Sequence, residues 1–339
     1  MIMISDISEK ELPLLTGKSI HEITLSNGHL TIVIHDFGAR IHQIFAPDKY
    51  GTFENILLSK DNSETYIHDG GYYGVICGPV AGRIAGASYG EIKLDANEGK
   101  NTLHSGSKGW ERQFWDYEVF KEKEKIGIKL TLKDEQSGFP GNISVSVIYE
   151  LEGSCLTVKM TGTSEKDTVF NPAFHPYFNL TADKESTLEH ILQTTTTKVV
   201  EVDEENIPTG NLVPVGETVY DLRKPVSIRS ILEKNPQGFD HCFVFPEQDT
   251  KKALNLFEKK SGRRLTCITD RQAVVIYTAT NPEQESTVSG KKMTPNRGLA
   301  IEFQELPDIV HHPEWGTIEL RAGEEKTFIS TYTFSVESE

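Results

Sequence analysis

A chain of 339 residues with 37% hydrophobic and 9% aromatic residues has ample material for a large core, and disorder of the whole chain is not expected. Its formal net charge of −15 leaves no basic surplus to neutralise phosphates, which argues against nucleic acid or an anionic membrane as the main partner. Four cysteines with no CxxC and no close pair, a start without a signal-peptide pattern and no stretch of membrane-spanning length give the expectation of a cytoplasmic protein in a reducing compartment.

In chain order, HEITLSNGHLTIVI (21–34) sets Asn27-Gly28 between two apolar runs. That pattern predicts a hairpin with a type I′ turn, which needs positive φ at both central residues. A helical turn or two is expected around 61–68. IGIKLTLKD (126–134) and CLTVKMTGTS (155–164) alternate apolar and polar residues, the mark of antiparallel strands with one buried face. VSIRSILEK (226–234) reads as a second short helix, and KTFISTYTFSVE (326–337) as a final strand. There is no internal repeat, low-complexity tract or linker. The expectation is all-β: one domain over 1–339, a large antiparallel unit of stacked sheets whose edges are managed by loops or charge.

The eleven histidines include no HxH, no HExxH and no Cys/His cluster at metal spacing, and His311-His312 lies in an apparent loop. Dinucleotide, P-loop and serine-hydrolase motifs are absent too. Three segments stand out. NPAFHPYFNL (171–180) fixes His175 between prolines and aromatics. NEGKNTLHSG (97–106) places His104 before a Ser-Gly turn. LAIEFQELPD (299–308) puts Glu302 in an apolar strand, where Ala300, Glu302 and Gln304 share one face. A carboxylate there must be paired, solvated in a cleft or shifted in pKa. Taken singly, each segment also admits a purely structural reading.

Together they resemble the aldose 1-epimerases, or galactose mutarotases. HPYFNL (175–180) matches that family's H-x-Y-F-N-L, NTLHSG (101–106) its N-x-L-H-G-G, and IEFQELPD (301–308) its L-E-T-Q-x-x-P-D. GPVAGRI (78–84) is similar to its arginine-bearing motif, and GFDHCF (238–243) to its G-x-D-H-x-F/Y segment. The five occur in the family's order. The resemblance implies a β-supersandwich of the galactose mutarotase type with few short helices and one open cleft for a small hexose. It implies Glu302 as general base, His175 as general acid, and His104 as a supporting histidine. It also implies Arg83, Asp240, Asn97 and Tyr177 as sugar contacts.

Mutarotation opens a cyclic hemiacetal, lets the C1–C2 bond turn, and recloses the ring from the other face. One proton must leave the C1 hydroxyl and another must reach the ring oxygen, so an acid and a base straddle the anomeric carbon, each transfer being worth about 10²–10⁴ in rate. No metal or other cofactor is needed. Three departures from the family pattern bear on substrate choice. Ser105 replaces the first glycine of H-G-G, the stretch between Arg83 and Asn97 is short, and Val275 stands where some members carry a glutamine. Other readings are a hexose-6-phosphate epimerase using Arg112, Arg263, Arg264 or Arg271, a non-catalytic carbohydrate-binding protein on the same fold, and a glycoside hydrolase using Glu302 with Asp240.

Overall fold

The alternating segments become strands of three antiparallel sheets. In the computed structural model, which describes residues 6–68, 71–247, 252–282 and 287–337, the largest sheet has nine strands. Lys125–Asp134, Ile143–Glu152, Cys155–Thr163 and Glu325–Val336 run side by side in it, with the last strand of the chain inserted between Cys155–Thr163 and Arg263–Thr269. A six-stranded sheet orders Tyr177–Phe178, Leu299–Gln304, Ala273–Tyr277, Asp240–Val244, Lys198–Val202 and Pro208–Pro214. A five-stranded sheet holds the N-terminal strands from Asp6–Pro13 to Phe53–Asn55.

One apolar cluster joins all three sheets. Ile32 and Ile34 come from the five-stranded sheet, Val147 and Tyr332 from the nine-stranded sheet, and Ile301 and Phe303 from the six-stranded sheet. The Phe303 and Tyr332 rings meet at 6.0 Å, within the range of favourable aromatic pairs. This contact orients the site. Leu299–Gln304 is buried throughout, and because side chains alternate across a strand, turning Ile301 and Phe303 into the core turns Ala300, Glu302 and Gln304 to the other face.

The two expected helices are Ser63–His68 and Ile228–Lys234, the latter capped by Ser227, whose Oγ accepts the Ser230 N–H at 3.2 Å. The first hairpin forms, but on a different turn. Ser26 pairs with Thr31, which leaves four connecting residues. Of the predicted pair only Gly28 has positive φ. The Asn27 side chain builds the turn by accepting the N–H groups of His29 and Leu30, an Asx arrangement that competes with the type I′ geometry. His311 lies in a short 3-10 turn, Ile309–His311, with its Nδ1 2.7 Å from Asp308 Oδ1.

Candidate active site

His175 sits in the two-residue gap between the strands Ala173–Phe174 and Tyr177–Phe178. Its backbone is clamped on both sides: its N–H donates to Val75 C=O at 2.9 Å, and its C=O accepts the Gly74 N–H at 2.9 Å. Glycine is required at 74, since φ is +67° and a Cβ would lie 2.0 Å from Ile41 O. Beneath this segment the buried Arg271 acts as a cross-link. It donates to Pro172 C=O at 2.7 Å, to Asn171 Oδ1, and to Glu305 Oε1 at 3.0 Å, while Asn171 Oδ1 also accepts the Glu305 N–H at 2.9 Å. Arg271 thereby ties NPAFHPYFNL to LAIEFQELPD and brings His175 Nε2 to 3.2 Å from Glu302 Oε1.

Both groups of this pair are buried, and burial disfavours their charged forms. The Glu302 carboxyl is pushed well above its usual range by desolvation and then by Asp240, with Arg83 opposing. Desolvation lowers His175 to about 3. Of the two side chains, Glu302 is therefore the favoured carrier of a proton. His175 Nδ1, Glu302 Oε2 and Gln304 Oε1 are buried without a hydrogen-bond partner among the described residues.

His104 closes one wall, its ring 5.3 Å from that of His175 and nearly perpendicular to it. Its N–H donates to Gly82 C=O at 3.0 Å, and its Nδ1 accepts the Gly82 N–H at 3.2 Å. Burial, His175 and Arg83 all depress its pKa, so the ring is neutral. With Nδ1 accepting, the ring proton belongs on Nε2, which makes His104 a donor there.

Arg83 is gripped by two carboxylates. Its Nε and Nη2 reach Glu98 at 2.6 and 3.0 Å, and its Nη1 lies 3.5 Å from Asp240 Oδ2. The Asn206 amide donates to that same Asp240 oxygen at 3.4 Å. Asp308 holds the Arg83 segment in place, donating its N–H to Arg83 C=O at 3.0 Å and accepting the Ala85 N–H at 2.9 Å. The sheet register completes the floor: Tyr177 and Tyr277 both lie opposite Ala300, Asp240 opposite Tyr277, and Val275 opposite Glu302.

These side chains line a cleft of about 550 Å³ that contains Glu302, His175, His104, Arg83, Asp240 and Tyr177. Asn97 is not part of it. That side chain is exposed and committed to the Leu103 backbone, donating to its C=O at 3.0 Å and accepting its N–H at 2.8 Å. Arg83 is the one arginine or lysine among the described lining residues. The four arginines considered for a phosphate lie elsewhere: Arg263 on Glu54 and Leu180, Arg264 on Glu337, Arg271 on Glu305, and Arg112 near Glu111.

Tyr72 escaped the sequence reading. It packs against both histidines, 4.4 Å from the His104 ring and 5.7 Å from that of His175, and burial pushes its hydroxyl well up, leaving a neutral donor. Its signal was the aromatic pair just ahead of GPVAGRI. Glu98 and Asn206 were missed for lack of any local pattern. Gln304, expected beside Glu302, lines the cleft. His104, His175 and Glu302 offer atoms within 4.8 Å of one another, the spacing of a metal site. The donor set does not suit one, because Gly82 occupies His104 Nδ1 and the proton this leaves on Nε2 removes the other lone pair.

Residues 21–333 match the family model described as aldose 1-epimerase. A galactose mutarotase of Bos taurus is 30% identical across 99% of this chain and 100% of its own length. An aldose 1-epimerase of Streptococcus thermophilus is 33% identical, covering 90% of this chain and 91% of its own. The crystal structure of a galactose 1-epimerase from Lactobacillus acidophilus NCFM superposes with a TM-score of 0.86 at 25% identity, covering 99% of this chain and 100% of the other. Fold and relatives define an isomerase of carbohydrates. The chain belongs to the aldose 1-epimerase family.

Proposed function

We propose that this protein, acting as a single domain, interconverts the α and β anomers of a free hexose such as D-galactose or D-glucose. The observation that carries the reading is the His175–Glu302 pair, a carboxyl and an imidazole 3.2 Å apart in a cleft. Ring opening needs one donor and one acceptor, and an adjacent carboxyl and imidazole supply one of each. Glu302 takes the proton of the anomeric hydroxyl while His175 protonates the ring oxygen, and closure reverses both. Because burial favours the proton on Glu302, this assignment requires the bound sugar's hydroxyls to satisfy Glu302 Oε2 and draw the carboxylate form out.

His104 Nε2–H donates to the oxygen where negative charge develops, and preorganised donors of that kind act strongly in a water-poor site. Arg83 and Asp240 hold sugar hydroxyls, and Tyr177 with Tyr72 forms an apolar wall. Asn97 enters only by shaping the Leu103 backbone. A hexose 6-phosphate loses support, because the one guanidinium among the described lining residues is already held between Glu98 and Asp240.

Among the described residues no helix is long and apolar enough to cross a membrane. Four free cysteines, three of them buried, support a reducing, cytoplasmic setting. The test is polarimetry on freshly dissolved α-D-galactose and α-D-glucose. The protein is expected to speed the approach to anomeric equilibrium and to leave a chromogenic galactoside intact. A rate equal to that of buffer contradicts the reading, and release of the chromophore points to a hydrolase.

A further inference from the structure

Three consecutive residues, beginning at the cleft-lining His104, have positive φ: His104 at 48°, Ser105 at 72° and Gly106 at 86°. The left-handed region is disfavoured for residues with a Cβ, so at His104 and Ser105 the surrounding structure must enforce the conformation. Gly106 is where glycine is needed, since a Cβ there would come 2.8 Å from the Asp95 side chain.

Ser105 is almost fully buried, and its hydroxyl makes two bonds to one residue. Oγ accepts the Val80 N–H at 2.9 Å and donates to the Val80 C=O at 2.9 Å. Those are the only hydrogen bonds to the Val80 backbone among the described residues, although its neighbours Pro79 and Ala81 bond to Asn171. Two positions along, Gly82 makes the paired contacts that hold His104. Residues 80–82 and 104–105 are therefore joined by four hydrogen bonds, two made by the Ser105 hydroxyl and two made by His104.

We propose that Ser105 is a positioning residue for His104. Its hydroxyl latches the left-handed turn onto Val80, keeps Gly82 N–H aimed at His104 Nδ1, and so keeps the ring proton on the Nε2 that serves the cleft. A glycine at 105 would relax the backbone but leave the Val80 N–H and C=O unpaired. In this chain, then, the hydroxyl rather than backbone freedom sets the imidazole. The effect on catalysis rests on the epimerase reading, whereas the effect on the imidazole does not.

The experiment measures Ser105→Gly in the wild-type and His104→Ala backgrounds, with imidazole nitrogen NMR of the substrate-free protein alongside. In the wild-type background kcat/KM for galactose mutarotation is expected to fall about tenfold, and in the His104→Ala background by less than about twofold, since the latch then has nothing to position. The His104 resonances are expected to change from a single Nε2–H tautomer to a mixture. Equal losses in both backgrounds, or an unchanged tautomer in Ser105→Gly, overturns the proposal. A wild-type protein that fails to speed mutarotation refutes the epimerase reading instead, and the NMR result still decides the role of Ser105.

Discussion

Two regions of this molecule bring two histidines and a glutamate to the same spacing. Glu22, His35 and His42 in the five-stranded sheet, like His104, His175 and Glu302 in the cleft, offer atoms within 4.8 Å of one another. Their surroundings differ in one respect. Both Glu22 oxygens are taken, one by His35 Nε2 at 3.0 Å and the other by Lys10 Nζ at 2.7 Å. His35 and Lys10 therefore hold its pKa down to about 2. Glu302 has one close contact and an unpartnered Oε2, and burial pushes its pKa the opposite way. In the sheet His42 Nδ1 is answered by the Tyr66 hydroxyl at 2.9 Å, and its ring stacks on His35 at 4.5 Å. Composition and spacing do not distinguish a structural cluster from a working one. The state of the carboxylate does: satisfied and ionised in one, held back and open to a cleft in the other.

The largest contrast is expected in turnover. Glu302→Gln and His175→Asn keep approximate shape and hydrogen-bonding capacity but remove a proton-transfer group, so each should lower kcat by at least about 10². Sugar affinity, measured by calorimetry, and Tm should change little. A variant with near-wild-type turnover would show that its residue does not carry the proton.

Acid should reveal what the buried histidines share. Burial lowers His42 and His175 to about 3 and His190 to about 4. Their folded values lie below the unfolded value of 6.5, so below that pH the unfolded chain binds protons that the folded chain refuses. The contribution of these histidines to stability is full above pH 6.5 and is lost as pH falls toward the folded values. The slope is up to about 1.4 kcal/mol per pH unit for each histidine. Because burial raises the Glu111 and Glu302 carboxyls, which shifts wild-type stability the opposite way with pH, the check compares urea midpoints of wild type and His42→Asn at pH 7.5 and 5.5; a pH-dependence equal in the two proteins would contradict it.

The sheet cluster should answer in stability alone. Glu22→Ala leaves the buried His35 without its acceptor, which should cost about 1–3 kcal/mol in urea unfolding while kcat stays within about twofold. The smallest effect is expected at Asn97, which braces Leu103 beside the cleft. Asn97→Ala should raise KM a few-fold with kcat nearly unchanged, as for a lost ground-state contact. A collapse of kcat would instead place its side chain at the reacting centre.

Much of this was legible in sequence because it depends on local periodicity. The strands at 126–134, 155–164 and 326–337 and the shared face of Glu302 and Gln304 follow from alternation, and the segment VSIRSILEK reads as the helix that forms over Ile228–Lys234. The first hairpin was legible but its turn was not, since the Asn27 side chain competed for the same N–H groups. Ser105 was legible as a departure, yet its partner Val80 is a long-range neighbour no spacing announces. Arg271 illustrates the same limit: a cation weighed for phosphate is a buried strut under His175. Asn97 lay within a matching segment, but its side chain turned to the backbone.

Glu302 and His175 acting as one proton-carrying unit can be separated from two independent groups by a double-mutant cycle in kcat. Polarimetry on wild type, Glu302→Gln, His175→Asn and the double variant gives the four rates. If the pair works as a unit, the double variant loses far less than the product of the two single losses, because the first substitution has already disabled the shared transfer. Losses that multiply would mean that the two side chains act independently and would contradict the account.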